Sequence, residues 1–267
     1  MGGSPGKINM VNPQFRKSKS PPKEGMIYGI RPVMEAFGAG KELDKIYINK
    51  ELKSEPLQEV VQLARAQNVP VMRVPPEKLD KITRKNHQGI IAFMAVVAYA
   101  SLDHIVTECF DRGENPFILM LDRITDVRNF GAIARSAECA GVHAIVVPEK
   151  ETAQIGPDAL KTSAGALNHL AVCREQNLKA TADYLRKSGL QVIACTEKAT
   201  DLIYDVDFDQ PTVVIMGSEE DGISDALMYA AHQQVKIPME GKSASLNVSV
   251  ATGIVLFEAI RQKIQRG

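Results

Sequence analysis

Phe117-Ile118-Leu119-Met120-Leu121-Asp122 is followed by a segment of helical spacing over 129–141, and that by Ala144-Ile145-Val146-Val147. The two apolar runs read as strands and the segment between them as a crossover helix. The same unit recurs toward the carboxyl end. A helix over 158–166 precedes a strand over 170–173, and a helix over 177–188 leads to a strand over 191–195. After an acidic loop, 197–210, come a strand over 212–216, a helix over 224–231, a strand over 234–237 and a long helix over 247–264. Nearly all-apolar strands alternating with helices predict an α/β domain with a parallel sheet covered on both faces, whose ligands bind beyond the carboxyl ends of the strands. The last helix is apolar around most of its circumference (Val248, Ala251, Ile254, Val255, Phe257, Ile260), enough to meet its own sheet and a second subunit.

Upstream, the pattern predicts a smaller α/β unit. A helix over 30–37 is opened by Pro32, a strand covers 44–49, and Leu57, Val60, Val61 and Ala64 form one stripe of a helix over 55–67. A strand over 71–74, a helix over 76–84 and an apolar strand over 90–97 complete it. The expected organisation is a disordered basic tail (1–23), a front domain (24–98), a linker (99–113) and the larger domain (114–267).

The chain has 267 residues and no formal net charge, but the charge is divided. Residues 1–99 carry 16 Lys and Arg against 9 Asp and Glu, and the remainder carries 16 against 23. A basic front joined to an acidic back points to a polyanionic partner for the front. No run of 18 apolar residues and no apolar leader occur, which argues against a membrane span or secretion. The four cysteines (Cys109, Cys139, Cys173, Cys195) have neither zinc-ligand nor redox spacing, as expected of free thiols in the cytoplasm. Gly2-Gly3-Ser4-Pro5-Gly6 lacks the strand and helix of a nucleophile elbow, and Gly38-Ala39-Gly40-Lys41 lacks the first glycine and the Ser/Thr of a phosphate loop.

Three segments place polar and small residues where loops should follow strands. In Asn129-Phe130-Gly131-Ala132-Ile133-Ala134-Arg135, Asn129 is a natural helix cap, Gly131 permits close backbone approach, and Arg135 projects about 120° away from Asn129. Met216-Gly217-Ser218-Glu219-Glu220-Asp221-Gly222-Ile223-Ser224 is an acidic loop between glycines, able to hold a polar ligand edge. Its consecutive carboxylates diverge, which disfavours a metal. The third segment, Ile237 to Ala251, has a proline, small polar residues and either Ser245 or Asn247 as the start of the long helix.

Taken together, these segments resemble the three motifs of the SpoU (TrmH-type) RNA 2′-O-ribose methyltransferases of the SPOUT superfamily. The matches are Asn129-x-Gly131-Ala132-Ile133-x-Arg135-Ser136-Ala137, Gly217-x-Glu219-x-x-Gly222-Ile223-Ser224 and Ile237-Pro238-Met239-x-Gly241-x-x-x-Ser245-Leu246-Asn247-Val248-Ser249-x-Ala251. Val127 stands where the family often has proline. Tyr28-Gly29-Ile30-Arg31-Pro32 and His87-Gln88-Gly89-Ile90 resemble the amino-terminal domain of these enzymes, which is similar to ribosomal protein L30e. The two-domain form is most similar to the subgroup acting on a guanosine of 23S ribosomal RNA.

The resemblance implies a trefoil knot, an obligate homodimer, an RNA substrate and S-adenosylmethionine as methyl donor. Gly217, Ile237, Met239, Leu246, Ser245 and Asn247 would line the cofactor site, and Arg135, Asn129, Glu219, Ser245 and Asn247 the catalytic one. Arg135 would either anchor the target phosphate and stabilise an alkoxide, or act as base if strongly perturbed. Arg31, Arg84, Lys85 and His87 are candidate RNA contacts, with a structural hydrogen bond the other reading for His87. A transfer RNA substrate, a resistance methyltransferase and a non-catalytic RNA-binding protein of this fold are the competing expectations. No metal is expected.

Overall fold

A computed structural model describes residues 25–67 and 69–266, so the predicted tail over 1–23 lies outside the described residues. The front unit runs β1 (Met26–Tyr28), α1 (Ile30–Gly38), β2 (Leu43–Asn49), α2 (Glu55–Ala66), β3 (Val71–Val74), α3 (Pro76–Ile82) and β4 (Ile90–Met94). Its sheet has the order β1-β4-β2-β3, with β4 antiparallel to both neighbours and β2 parallel to β3. Helices α1 and α2 bury Val33, Phe37, Leu57, Val60 and Ala64 on one face, against Ile46, Ile48 and Ile90. The other face carries Val74, Ile91 and Phe93 beneath Leu79 of α3, with Met26, Tyr28, Tyr47 and Met72 only partly buried beside them. Strand β1 was not anticipated. At three residues it is too short to show a period, and it exists because its edge pairs with β4.

The segment predicted as a linker, 99–113, forms α4 (Leu102–Asp111), where the Ser101 hydroxyl accepts from His104 N–H. There follow β5 (Phe117–Asp122), α5 (Val127–Cys139), β6 (Ala144–Pro148), α6 (Pro157–Thr162), β7 (Ala171–Glu175), α7 (Leu178–Lys187), β8 (Gln191–Cys195), β9 (Asp201–Leu202), β10 (Thr212–Gly217), α8 (Asp225–Ala230), β11 (Gln233–Lys236) and α9 (Val248–Arg266). All pairs of the seven-stranded sheet are parallel, in the order β7-β6-β5-β10-β8-β11-β9. Phe130, Ile133 and Ala134 of α5 and Val255, Leu256 and Ala259 of α9 belong to the core on one side, with Leu119 and Val214 from the sheet. Val106, Leu185 and Leu227 of α4, α7 and α8 join Ile118, Met120 and Val213 on the other. Every residue of β5 is buried, at about 1.5–3 kcal/mol for each large aliphatic side chain, which is why the run reads as apolar throughout.

The chain leaves β5 toward β6 and β7 on one side, and the remaining strands lie on the other. The direction of winding therefore reverses between β5 and β10, whose carboxyl ends, Asp122 and Gly217, are in register. Crevices for ligands open at such reversals.

A polar weld joins the two units. Arg174 of β7 pairs with Asp44 of β2, their side chains 9% and 6% exposed. Arg174 also donates to the Asp44 carbonyl at 2.6 Å and lies 3.6 Å over the Tyr99 ring, while the Tyr99 hydroxyl donates to Asp44 Oδ1 at 2.6 Å.

Candidate active site

At that reversal the loop after β10 folds back on itself. Ser218 N–H donates to the Gly222 carbonyl at 3.2 Å, and Gly222 N–H to the Ser218 carbonyl at 3.0 Å. The return is so tight that a Cβ on Gly217 would fall 2.2 Å from the Gly222 carbonyl carbon and 2.3 Å from Ile223 N. Two residues absent from the sequence-based site hold this loop. Buried Asp122 accepts from Ser224 N–H at 2.7 Å, and Arg123 donates to the Gly222 carbonyl at 3.0 Å and faces Asp221 at 3.4 Å. Their signal in the sequence was an acid closing an otherwise apolar strand, which must find a partner once buried.

The loop walls a cleft of about 220 Å³ whose other wall is the segment after β11. Gly217, Ile237, Met239, Ser245 and Leu246 all line it, as does Glu219. Met216, Ile237, Leu246 and Ala251 give it an apolar side, and Ser218, Glu219 and Ser245 a polar one. Cys195 is also in the wall. Burial, helped by Glu197, pushes its thiol up to about 12, toward the protonated form.

Beside the cleft, three predicted residues meet at one oxygen. Glu219 Oε1 accepts from Asn247 Nδ2 at 2.6 Å, from Asn129 Nδ2 at 3.2 Å and from Val248 N–H at 3.2 Å. Asn247 Nδ2 also donates to Asn129 Oδ1 at 3.0 Å. The carboxylate thus ties the amino ends of α5 and α9 to the loop after β10. Asn247 caps α9, its Oδ1 accepting from Ser249 N–H at 3.0 Å. Asn129 and Glu219 also border a second hollow with Arg123, Asp126 and Glu151.

Two expectations are corrected. Asn129 does not cap α5: Asp126 does, accepting from Arg128 N–H at 2.8 Å and Asn129 N–H at 2.9 Å, which frees the Asn129 amide for Glu219. The close approach at Gly131 is to protein rather than ligand, since a Cβ there would lie 2.0 Å from Thr162 Oγ1 of α6. Arg135, well along α5 from Asn129, is exposed and lies outside the lining of the cleft. Its neighbour Ser136 lies 3.8 Å from where a Cβ on Gly253 of α9 would sit.

In the front unit Arg31, Arg84 and Lys85 are exposed. His87 has the structural role: its Nδ1 accepts from Gly89 N–H at 3.0 Å, and Nε2 faces Asp80 at 3.0 Å. Among the described residues, a Cys/His/carboxylate group forms elsewhere, from Cys109, Glu114 and His143. There His143 Nδ1 is committed to Phe117 N–H at 2.9 Å, which leaves the ring proton on the nitrogen facing Glu114.

Comparison with known proteins gives these features a family. Residues 116–257 match the SpoU rRNA methylase family, and residues 26–100 match the RNA 2′-O ribose methyltransferase substrate-binding domain. A putative TrmH family tRNA/rRNA methyltransferase of Bacillus subtilis, YacO, is 31% identical over 89% of this chain and 95% of its own. The SpoU methyltransferase AviRb of Streptomyces viridochromogenes, solved with AdoMet, is 27% identical with a TM-score of 0.58, covering 90% of both chains. An AdoMet-bound rRNA methyltransferase of Sinorhizobium meliloti is 26% identical with a TM-score of 0.55, over 88% of this chain and 86% of that one. With one family description spanning residues 116–257 and a relative similar across nearly the whole chain, this protein belongs to the SpoU/TrmH family of RNA 2′-O-methyltransferases.

Proposed function

We propose that the cleft between the loops after β10 and β11 seats S-adenosylmethionine, and that the protein methylates the 2′-hydroxyl of a guanosine in 23S ribosomal RNA. The observation that carries the cofactor reading is the convergence of Gly217, Glu219, Ile237, Met239, Ser245 and Leu246 on one cleft at the winding reversal. The apolar wall suits a flat adenine, and the backbone and Ser245 suit polar edges. When bound, the cofactor supplies an electrophilic methyl group on sulfonium sulfur.

The chain's own work is to present the ribose oxygen in line and to favour loss of its proton. Arg135 is the group assigned to the target: a guanidinium that keeps its proton anchors the adjoining phosphate and stabilises the developing alkoxide. Glu219 and Asn247 hold the ends of α5 and α9 at a set distance from the cleft. Arg135 reaches the cleft through assembly. On α9, Val250 and Phe257 are 52% and 49% exposed, and a second copy covering them would bring α5, which packs against α9 and carries Arg135, to the subunit boundary. The knot and the homodimer belong to this reading. The rRNA target is supported by the similarity to the rRNA methyltransferase of S. meliloti over 88% of this chain.

Arg135→Ala is expected to abolish methyl transfer while binding of S-adenosylhomocysteine and the oligomer persist. Activity like that of the unsubstituted protein overturns the role. Mapping alkali-resistant linkages in RNA from a deletion strain identifies the target, since methylation blocks the hydroxyl that hydrolysis needs. A missing mark in transfer RNA instead overturns the ribosomal assignment. Calorimetry with S-adenosylhomocysteine decides against a non-catalytic binder if heat of binding is seen at sub-millimolar concentration.

A further inference from the structure

The front sheet has one face that its helices do not finish covering. On β4, Ile91 is in register with Tyr28 of β1 on one side and Tyr47 of β2 on the other. Tyr28, Ile91 and Tyr47 therefore form one row across three adjacent strands, with the two tyrosines about 10 Å apart at their backbones. Tyr47 meets Phe93 edge-on at 5.3 Å between ring centroids. Leu79 of α3 packs with Val74, Ile91 and Phe93, which are buried, while Tyr28, Tyr47 and Met26 around them stay half-buried.

Cations surround the row. Lys85 Nζ lies 5.2 Å from the Tyr28 ring centroid, Lys78 Nζ 5.0 Å from that of Tyr47, and Lys45 Nζ 5.7 Å from that of Phe93. From Pro75 to Lys85 the chain carries four cationic side chains (Lys78, Lys81, Arg84, Lys85) against Glu77 and Asp80, and Asp80 is engaged by His87. Aromatic faces with ammonium groups beside them suit a ligand that offers flat π-surfaces and anionic linkers at regular spacing. A single-stranded or looped RNA offers both, whereas a duplex keeps its bases inside its own stack.

We propose that this face is a base-stacking platform: Tyr28 and Tyr47 each receive a splayed-out nucleobase of the substrate RNA, and Lys78 and Lys85 move from the rings to the flanking phosphates. The inference rests on the reading of the protein as an RNA methyltransferase and assigns the surface that grips RNA away from the methyl-transfer site. Lys85, a candidate from the sequence, falls on its rim, and Arg84 is the exposed residue before it. His87 acts indirectly, by holding the turn that carries them.

The chain contains no tryptophan, so Tyr28→Trp and Tyr47→Trp in the full-length protein are single-fluorophore reporters. Titration with an unmodified 23S ribosomal RNA transcript, and with a short oligouridine, is expected to quench the indole in both variants. Tyr28→Ala and Tyr47→Ala are each expected to weaken binding about tenfold without changing its salt dependence, and Tyr→Phe to preserve it. Lys78→Ala and Lys85→Ala should each lower the slope of log affinity against log salt by about 0.7. RNA binding with unchanged indole emission and unaffected Tyr→Ala variants overturns the platform, as does an indole already shielded from solvent in the free protein. In those cases, S-adenosylhomocysteine binding and methylation leave the catalytic reading standing. A full-length protein that binds cofactor but neither RNA overturns both the platform and the ribosomal target.

Discussion

The two sheets of this protein use their surfaces in opposite ways. The seven-stranded sheet is parallel and buried on both faces, so its faces are lost to ligands and its chemistry gathers at strand ends, where Asp122 and Gly217 stand in register. The four-stranded sheet is mixed, and α3 covers only part of one face, leaving Tyr28 and Tyr47 half-buried among lysines. Full coverage gives rigidity, which suits a site that must hold reacting atoms in line. Partial coverage gives area, which suits a surface that must hold a long polyanion.

If the halves divide labour in this way, substitutions should separate them. The largest effect is expected at the weld. Arg174→Ala takes the guanidinium away from the buried Asp44 carboxylate, which keeps the Tyr99 hydroxyl at 2.6 Å and Lys45 at 3.9 Å, at a cost of about 1.5–3 kcal/mol. Calorimetric unfolding should then split into two transitions, and Asp44→Ala in the same chain should restore part of the loss. A single unshifted transition would show that the domains do not depend on this pair.

Gly217→Ala comes next. The added Cβ meets backbone atoms rather than a movable side chain, so the loop after β10 must open, at about 1–3 kcal/mol. S-adenosylhomocysteine affinity should fall with it while RNA binding by the front unit is unchanged. Parallel losses of both would contradict the division. Glu219→Ala removes the acceptor shared by Asn129, Asn247 and Val248 and is expected to cost about 1 kcal/mol and much of the methyl transfer, whereas Glu219→Gln keeps Oε1 and should recover stability. Thermal melts of the pair separate the roles.

The smallest effect concerns pH. The Arg261 guanidinium, bonded to Glu258 at 2.7 Å, holds that carboxyl below the usual carboxylate range. Its stabilisation is present above the ordinary carboxylate pKa and is lost as pH falls through the depressed one. Glu258→Gln should therefore flatten the acid side of the stability profile and leave the front unit unaffected.

Elements with a strong repeat were legible in the sequence. The strands over 117–122 and 191–195 appear as read, because burial on both faces forces continuous apolar runs. Strands β1 and β9 were not, being three and two residues long and defined by the partners they pair with. Asn129 illustrates the limit at the site. Its residue type and position allowed a cap, but whether Asp126 or Asn129 caps depends on where the preceding loop enters the helix, and that loop is set by packing. The angular offset between Asn129 and Arg135 was readable from helix geometry alone, and the two side chains do go separate ways, one to Glu219 and one to solvent.

By itself the order of residues determined the two α/β units and the family and named Gly217, Ile237, Met239, Ser245 and Leu246 of the cleft wall, though not that Asn247 and Arg135 stand outside it, because strand burial and motif spacing are local properties of a chain. What only the folded molecule decided is which groups share an atom. Glu219 gathers Asn129 and Asn247 from two other segments, Asp122 and Arg123 brace the loop after β10, and Tyr28 meets Tyr47 across Ile91. Those meetings arise from strand order and register. They join residues far apart along the chain, and no local period encodes such a distance.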